Sequence, residues 1–243
     1  MKGFSKKNVV ISLFTFVVMQ SYSSFILAEF HGTVTAANDY IWRGYSKTDG
    51  GFALQANLDY EFSSGFYLGT SISNVDFGDD EFNDRANIEV TPYIGWTFNL
   101  AEDWRIDLQW SRYFYDGKIF GQHADYNEFY LFLHYRDLLT ANVSFSENFY
   151  HQGHASGEYG LTGRYPITGA IEFSTSIGYS QIKEILEYDY LHWNAGFTYS
   201  FNYVVLDFRY MDAVEATAPI KMDWQYDPNV LEPTFVFSIS IGF

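Results

Sequence analysis

Long runs that alternate between apolar and polar residues constrain this chain most. Between positions 52 and 62, every second residue is apolar and those between them are mostly polar. Successive side chains of a β-strand point to opposite faces, so such a run predicts a strand with one apolar and one polar face. The sequence predicts twelve strands, at positions 29–42, 51–62, 65–76, 85–99, 104–116, 124–136, 139–150, 157–165, 170–180, 188–201, 203–212 and 232–243.

Two all-β architectures could use this alternation. A soluble sandwich buries its apolar faces against each other, whereas a membrane barrel turns them outward to lipid. Most of the runs reach the ~9–11 residues that a tilted strand needs to cross a bilayer. Aromatic residues make up 21% of the chain, which is typical of the girdles at both membrane interfaces. The sequence therefore favours an antiparallel, up-and-down transmembrane β-barrel.

The links between the predicted strands alternate in length. Outer-membrane barrels have short periplasmic turns and longer extracellular loops. The short links fall at 63–64, 100–103, 136–138, 166–169 and 202, and the long ones at 43–50, 77–84, 117–123, 151–156, 181–187 and 213–231. An even number of strands with both chain ends on the short-turn side fits this pattern, although uncertain boundaries leave ten or fourteen strands open.

The first 28 residues have the layout of a cleaved signal peptide. Lys2, Lys6 and Lys7 precede a mostly apolar stretch at 9–18, and Ala28 is followed by Glu29. The alternative is a membrane anchor, but the apolar stretch is short for ~30 Å of hydrocarbon. We therefore expect a signal peptide at 1–28 and a single barrel domain at 29–243.

Charge and cysteine content narrow the possible partners. The formal net charge is −16 and there is no cysteine. Nucleic-acid binding requires a basic surface, so it is not expected, whereas cations suit an acidic chain. Without disulfides, stability has to come from packing and from closure of the sheet.

Residues 38–78 resemble the TorF family of outer-membrane porins. The likeness is carried by the blocks NDYIWRGYSKTDG, ALQANLDY, SGFYLGT and SNVDFG. It implies an outer-membrane location and a pore, names no solute and supplies no catalytic residues. The C-terminus resembles the assembly signal of outer-membrane barrels, since Phe243 is in step with Phe235, Phe237, Ile239 and Ile241. That resemblance implies recognition by the barrel-assembly machinery.

The polar faces predict a charged barrel interior. Charged side chains that face lipid are costly, so a barrel of any function is expected to enclose them, where they can pair with one another. An excess of acids would favour cations inside a pore. The predicted pore-lining residues are Asp59, Glu61, Glu89, Arg105, Asp107, Glu128, Glu158, Arg164, Glu172, His192, Asp207 and Arg209.

Two further groups offer weaker signals. Arg43 could shape the entry of a pore, but its simpler interpretation is an ion-pair partner of Asp39 and Asp49 near the first turn. His151 and His154, with Glu158 close behind, could hold a divalent cation. With Ser156, the same pair is the only candidate for an outer-membrane hydrolase, and no nucleophile motif accompanies it.

The long links are acidic. Residues 76–85 read DFGDDEFNDR, and the link at 213–231 could fold inward and narrow the lumen. Pro219 and Pro228 argue against one long regular element there.

We therefore expect a narrow passive channel for small hydrophilic solutes with a mild preference for cations. No reaction and no cofactor are expected, and the partners are outer-membrane lipid and the solutes. The alternatives are a closed structural or adhesive barrel with acidic binding loops and, less favoured, the hydrolase.

Overall fold

The structure is a closed antiparallel barrel. The computed structural model describes residues 29–215 and 233–243. The predicted signal peptide at 1–28 and most of the predicted link at 213–231 lie outside these residues. No helix within the described ranges has the length and apolar character needed to cross a membrane.

The described residues form fourteen strands, and twelve of them make up the barrel, as the alternation predicts. The barrel strands are β1 (Glu29–Ala37), β4 (Ala53–Glu61), β5 (Phe66–Asn74), β6 (Ile88–Ala101), β7 (Trp104–Tyr115), β8 (Tyr126–Tyr135), β9 (Leu139–Ser146), β10 (Ser156–Pro166), β11 (Ile171–Gln181), β12 (Tyr190–Phe201), β13 (Val204–Glu215) and β14 (Thr234–Gly242). Two short strands, β2 (Ile41–Trp42) and β3 (Tyr45–Ser46), pair only with each other.

Each barrel strand pairs with its neighbour in sequence, and β1 closes the barrel against β14. The closure includes the chain terminus, because Gly32 and Phe243 exchange two backbone hydrogen bonds of 2.9 Å. The Phe243 ring lies against Gly32, where a Cβ atom would overlap it. Closure leaves no unpaired sheet edge, which a barrel in lipid requires.

The described links alternate between short and long. The short links are 62–65, 102–103, 136–138, 167–170 and 202–203, and they share one end of the barrel with Glu29 and Phe243. The long links 38–52, 75–87, 116–125, 147–155 and 182–189 share the other end. We call these the short-turn end and the long-loop end.

The predicted first strand, 29–42, is too long. The structure ends β1 at Ala37, and the chain then forms the hairpin of β2 and β3. The reason is visible in the sequence, since Asn38 and Asp39 are turn formers and Tyr40, Ile41 and Trp42 break the alternation. The predicted strand 139–150 is likewise too long, because Phe149–His151 forms a 3₁₀ turn after β9.

The outward face is apolar. Leu54, Leu68, Leu108, Leu131 and Ile177 are each between 44% and 52% exposed. Exposed aromatic side chains lie toward both ends of the barrel, at Phe62, Trp96, Trp104, Tyr165, Phe201 and Tyr203 near the short turns and at Phe52, Phe129, Phe145 and Phe235 near the long loops. An apolar band between two aromatic girdles is the surface that a transmembrane barrel presents to lipid.

Two tyrosines interlock β5 with β6 inside the barrel. Tyr67 lies over its register partner Gly95, and Tyr93 lies over its register partner Gly69. A Cβ atom at either glycine would overlap the ring opposite. The Tyr67 hydroxyl donates a 2.7 Å hydrogen bond to Asp107, so the interlock also holds a charged interior residue.

The substitution Gly95→Ala tests this interlock. We expect a loss of about 1–3 kcal/mol in the free energy of unfolding, because the new methyl group forces Tyr67 off its site. The measurement is urea unfolding in detergent micelles. Gly163→Ala is the control, since nothing lies within 4 Å of a Cβ at that strand position. Equal effects of the two substitutions would contradict the interlock.

Candidate functional site

All twelve predicted pore-lining residues lie on the face of their strands opposite to the exposed apolar residues. Six of them are at most 5% exposed, namely Glu89, Asp107, Glu128, Glu158, Asp207 and Arg209. The other six are partly exposed, namely Asp59, Glu61, Arg105, Arg164, Glu172 and His192. Whether they line a conducting pore is a separate question, because several are locked in contacts with other side chains.

The hairpin of β2 and β3 lies inside the barrel. Its turn is Arg43-Gly44, and both residues have positive φ, at 48° and 82°. Two consecutive left-handed residues are typical of a type I′ hairpin turn, where glycine is favoured. A Cβ atom on Gly44 would lie 2.8 Å from the Cβ atoms of His192 and Ala213, so the backbone touches the wall at β12 and β13.

Arg43 ties the hairpin to the opposite part of the wall. Its Nη2 lies 2.8 Å from Glu128 Oε1 on β8 and donates a 2.8 Å hydrogen bond to Ser144 on β9. Glu128 also accepts hydrogen bonds from Ser144, at 2.6 Å, and from Tyr130, at 2.7 Å. The predicted pairing of Arg43 with Asp39 and Asp49 is therefore wrong, because the hairpin places the guanidinium in the lumen, where it pairs with Glu128.

Lys47 forms the second ion pair between the hairpin and the barrel wall. Its side chain is fully buried, and Nζ lies 2.6 Å from Glu89 Oε2 on β6. The Tyr40 and Tyr115 hydroxyls donate to the same carboxylate at 3.0 and 2.7 Å. The Lys47 ammonium also lies about 5 Å from the ring centroids of Tyr40, Trp42 and Tyr113. Such ring faces attract a desolvated cation, so the lysine is held by both an acid and an aromatic cage.

Asp39 instead fixes the base of the hairpin. It accepts hydrogen bonds from Ser46, at 2.6 Å, and from Thr48, at 2.9 Å. Burial raises the pKa of Asp39, and these two hydrogen bonds oppose that rise.

Aromatic side chains fill the space around the hairpin at the long-loop end. Tyr113 and Tyr126 stack with ring centroids 4.4 Å apart. Phe149 and Tyr150, from the link at 147–155, each lie 4.9 Å from Tyr126. Ile182 and Tyr188, from the link at 182–189, belong to the same buried cluster. The outer half of the lumen is thus occupied by side chains of the protein.

The short-turn half of the interior is more open. The side chains of His31 and Asp59 are 30% and 26% exposed there, whereas Glu128 beside the hairpin is 1% exposed. Between the halves, a cavity of about 80 Å³ is lined in part by Trp42, Arg43 and Glu158. Among the described residues, the interior therefore consists of a vestibule at the short turns and a section near the long loops that is filled by side chains.

Two interior contacts engage predicted lining residues. Glu158 Oε1 lies 2.7 Å from His192 Nε2, and Glu158 Oε2 accepts a hydrogen bond from Ser180. Arg209 donates to both oxygens of Asp207 at 2.8 Å. Glu158 and His192, like Asp207 and Arg209, therefore interact with each other within the wall of the barrel.

The histidine candidates do not assemble into a site. His151 and His154 are exposed, whereas Ser156 is 7% exposed at the start of β10, and Glu158 is paired with His192. Within residues 29–215 and 233–243, no group of three or more His, Cys, Asp or Glu side chains could hold a metal ion. The predicted cation site on this link is therefore not supported.

Sequence reasoning missed Arg43, Lys47 and the stacked tyrosines as parts of the interior. The signal was the dipeptide Arg43-Gly44 between Ile41-Trp42 and Tyr45-Ser46, which fits a tight hairpin as well as a strand end. The direction in which that hairpin folds depends on carboxylates at Glu89 and Glu128, which are far away in sequence.

The profile of a bacterial family described as proteins of unknown function, Gcw_chp, matches residues 24–243. The chain belongs to the Gcw_chp family. No curated protein sequence is significantly similar to it.

This Gcw_chp protein is similar in fold to solved porins. A structure of the KdgM porin covers 88% of this chain and 99% of that chain, with a TM-score of 0.57 and 7% identity. A second, titled as the KdgM porin in complex with disordered oligogalacturonate, covers 89% and 98%, with a TM-score of 0.54 and 6% identity. At such low identity the likeness supports the fold, which is that of porin-like outer-membrane barrels.

The tie between Lys47 and Glu89 has a measurable energetic consequence. Lys47→Met leaves a buried carboxylate without its cation, so we expect a loss of about 3–5 kcal/mol in the free energy of unfolding. In the double variant Lys47→Met/Glu89→Gln no buried charge is left unpaired, and most of that loss is expected to be recovered. Urea unfolding in micelles measures both, and a double variant no more stable than the single one would contradict the assignment.

Proposed function

We propose that this protein is an outer-membrane channel for small hydrophilic solutes, in which the hairpin of β2 and β3 forms the constriction. The observation that carries the proposal is the combination of a charged interior with a hairpin held across it by two ion pairs. A barrel whose only role was structural could fill its core with apolar side chains, which avoids the cost of burying Arg43 and Lys47.

The exposed apolar band supports a membrane location, because contiguous exposed apolar surface of this extent is rare on soluble monomers. The resemblance of residues 38–78 to the TorF family of porins supports both an outer-membrane location and a pore. The outward position of Phe243 at the end of β14 is consistent with recognition by the barrel-assembly machinery, which remains part of the proposal.

The hairpin is suited to be the constriction because it touches the wall on several sides. It contacts β6 through Lys47, β8 and β9 through Arg43, and β12 and β13 through Gly44. Any solute that moves from the long-loop end to the vestibule has to pass beside it or displace it.

Conductance in planar bilayers tests this role. Ala37 and Ala53 are register partners, so a short hairpin turn can replace residues 38–52 and join β1 directly to β4. The variant also carries Glu89→Gln and Glu128→Gln, so that removal of the hairpin leaves no unpaired buried acid. We expect a single-channel conductance severalfold above that of the wild type, because the constriction is gone.

The control for this experiment is the full-length chain with Glu89→Gln and Glu128→Gln alone. Its conductance is expected to stay well below that of the shortened variant. Heat-modifiable gel mobility shows whether each barrel is folded.

The filled outer half also favours the second candidate, a closed structural barrel. If neither the wild type nor the folded, shortened variant conducts ions, the result would support the structural barrel and refute the channel.

A mild cation preference is the finer part of the proposal. The hairpin adds the charges of Arg43 and Lys47 to the interior, so two of the eight predicted acids are neutralised by cations that the sequence did not assign. Asp59, Glu61 and Glu172 remain partly exposed in the vestibule, where acids favour cations. We expect a reversal potential of cation-selective sign under a potassium chloride gradient, reduced in Glu61→Gln/Glu172→Gln. An anion-selective wild type would refute the preference.

A further inference from the structure

Three basic side chains of the vestibule lie close together on β7, β8 and β10, with β9 between the last two. Arg105 on β7 is the register partner of His134 on β8, and His134 is the register partner of Thr140 on β9. Arg164 on β10 donates from Nη1 to Thr140 Oγ1 at 3.0 Å, and His134 Nδ1 lies 3.0 Å from the same oxygen. One buried hydroxyl therefore connects the histidine to Arg164.

That hydroxyl sets the direction of the histidine's hydrogen bonds. Thr140 Oγ1 accepts from Arg164, and its own hydrogen needs an acceptor, which His134 Nδ1 provides. The hydrogen-bond network thus assigns the neutral ring its proton on Nε2. His134 Nε2 then becomes a donor that is aimed away from Thr140.

Donors in this cluster lack partners. His134 is 3% exposed, and both its Nε2 and the Arg164 Nη2 are buried without a hydrogen-bond partner among the described residues. No carboxylate within residues 29–215 and 233–243 forms an ion pair with the Arg105 guanidinium. Buried donors are nearly always satisfied, and leaving one without a partner costs about 1–3 kcal/mol. An acceptor group that binds between these side chains would satisfy them.

We propose that Arg105, His134 and Arg164 form a binding site for the carboxylate group of a small solute. Guanidinium groups present their donors in a planar fork that matches a carboxylate, and the His134 ring adds a third donor. Arg105 and Arg164 are partly exposed, so a solute approaches these two side chains from the short-turn end without passing the hairpin.

The surrounding acids select a single negative charge. Asp107, Asp137 and Glu61 act electrostatically on Arg105, and Glu172 and Asp137 act on Arg164. Arg209 brings little additional positive charge, since it is paired with Asp207. A dianion such as phosphate or sulfate would be repelled by these carboxylates about twice as strongly as a monocarboxylate, because it carries twice the charge.

This binding site can be tested separately from the channel proposal, because the binding assay requires no conducting channel. The probe is propionate, and the readout is the broadening of its methyl proton NMR signal by the refolded barrel in micelles. We expect saturable broadening with propionate and none with propionamide, which has nearly the same shape and no charge. Inorganic phosphate at equal concentration is expected not to compete.

Arg105→Gln is the first variant, because no carboxylate among the described residues forms a direct ion pair with Arg105. We expect propionate affinity to fall by about tenfold or more, the usual effect of losing a charged hydrogen bond. Arg112→Gln is the matched control. It removes the same charge from the same strand, but Arg112 lies on the outward face, 5.0 Å from the Phe114 ring centroid. The affinity of the Arg112→Gln variant for propionate is expected to equal that of the wild type.

Thr140→Val tests the assigned proton independently of charge. It keeps Arg105 and Arg164 but removes the hydroxyl that orients His134, so we expect a smaller, severalfold loss of affinity. Absence of saturable propionate binding to the wild type, or equal affinity in Arg105→Gln and Arg112→Gln, would overturn the site. Phosphate that competes as well as propionate would overturn the assignment to a carboxylate. A channel that conducts but fails these tests would leave the function standing and remove only the site.

Discussion

The buried ammonium of Lys47 is the constraint on which the interior of this barrel depends. A charge without solvent is tolerated only when an opposite charge and further hydrogen bonds surround it. Glu89 and three aromatic faces surround the ammonium, and two tyrosine hydroxyls donate to the Glu89 carboxylate. These partners come from β6, β7 and the hairpin itself, so the position of one nitrogen atom fixes how the first long link lies within the barrel.

The placement of the hairpin divides the interior into two environments. On the long-loop side, stacked tyrosines and loop residues such as Phe149 exclude water. On the short-turn side, Asp59, Arg105 and Arg164 keep part of their surface exposed. Electrostatic interactions are weaker in the hydrated part, so charges there can remain without direct partners. The same barrel thus contains a densely packed section at the long loops and a more exposed, charged section at the short turns.

Much of the fold follows from local sequence. The alternation at 52–62 and the similar runs after it predict the barrel strands to within a few residues, because one apolar face per strand is a local requirement. The twelve predicted interior residues fall on the interior face for the same reason, since a strand's period of two assigns each side chain to a face. The hairpin could not be predicted in this way. Its inward course depends on pairs such as Arg43 with Glu128, which are separated by 85 positions and carry no periodic signal. The link at 213–231 was also expected to affect the lumen, and its role is still a prediction.

The interlock of Tyr67 with Gly95 and of Tyr93 with Gly69 has a consequence for how this family can change over time. Each ring occupies the volume that its partner's side chain would need, so neither member of a pair can be replaced freely while the other remains. Within the Gcw_chp family, a larger residue at either glycine position should therefore be accompanied by a smaller one at the facing tyrosine position. Since Tyr67 also holds Asp107 beside the vestibule, such paired exchanges would alter the charge pattern of the interior, and would link the packing of two strands to the divergence of the barrel's electrostatics.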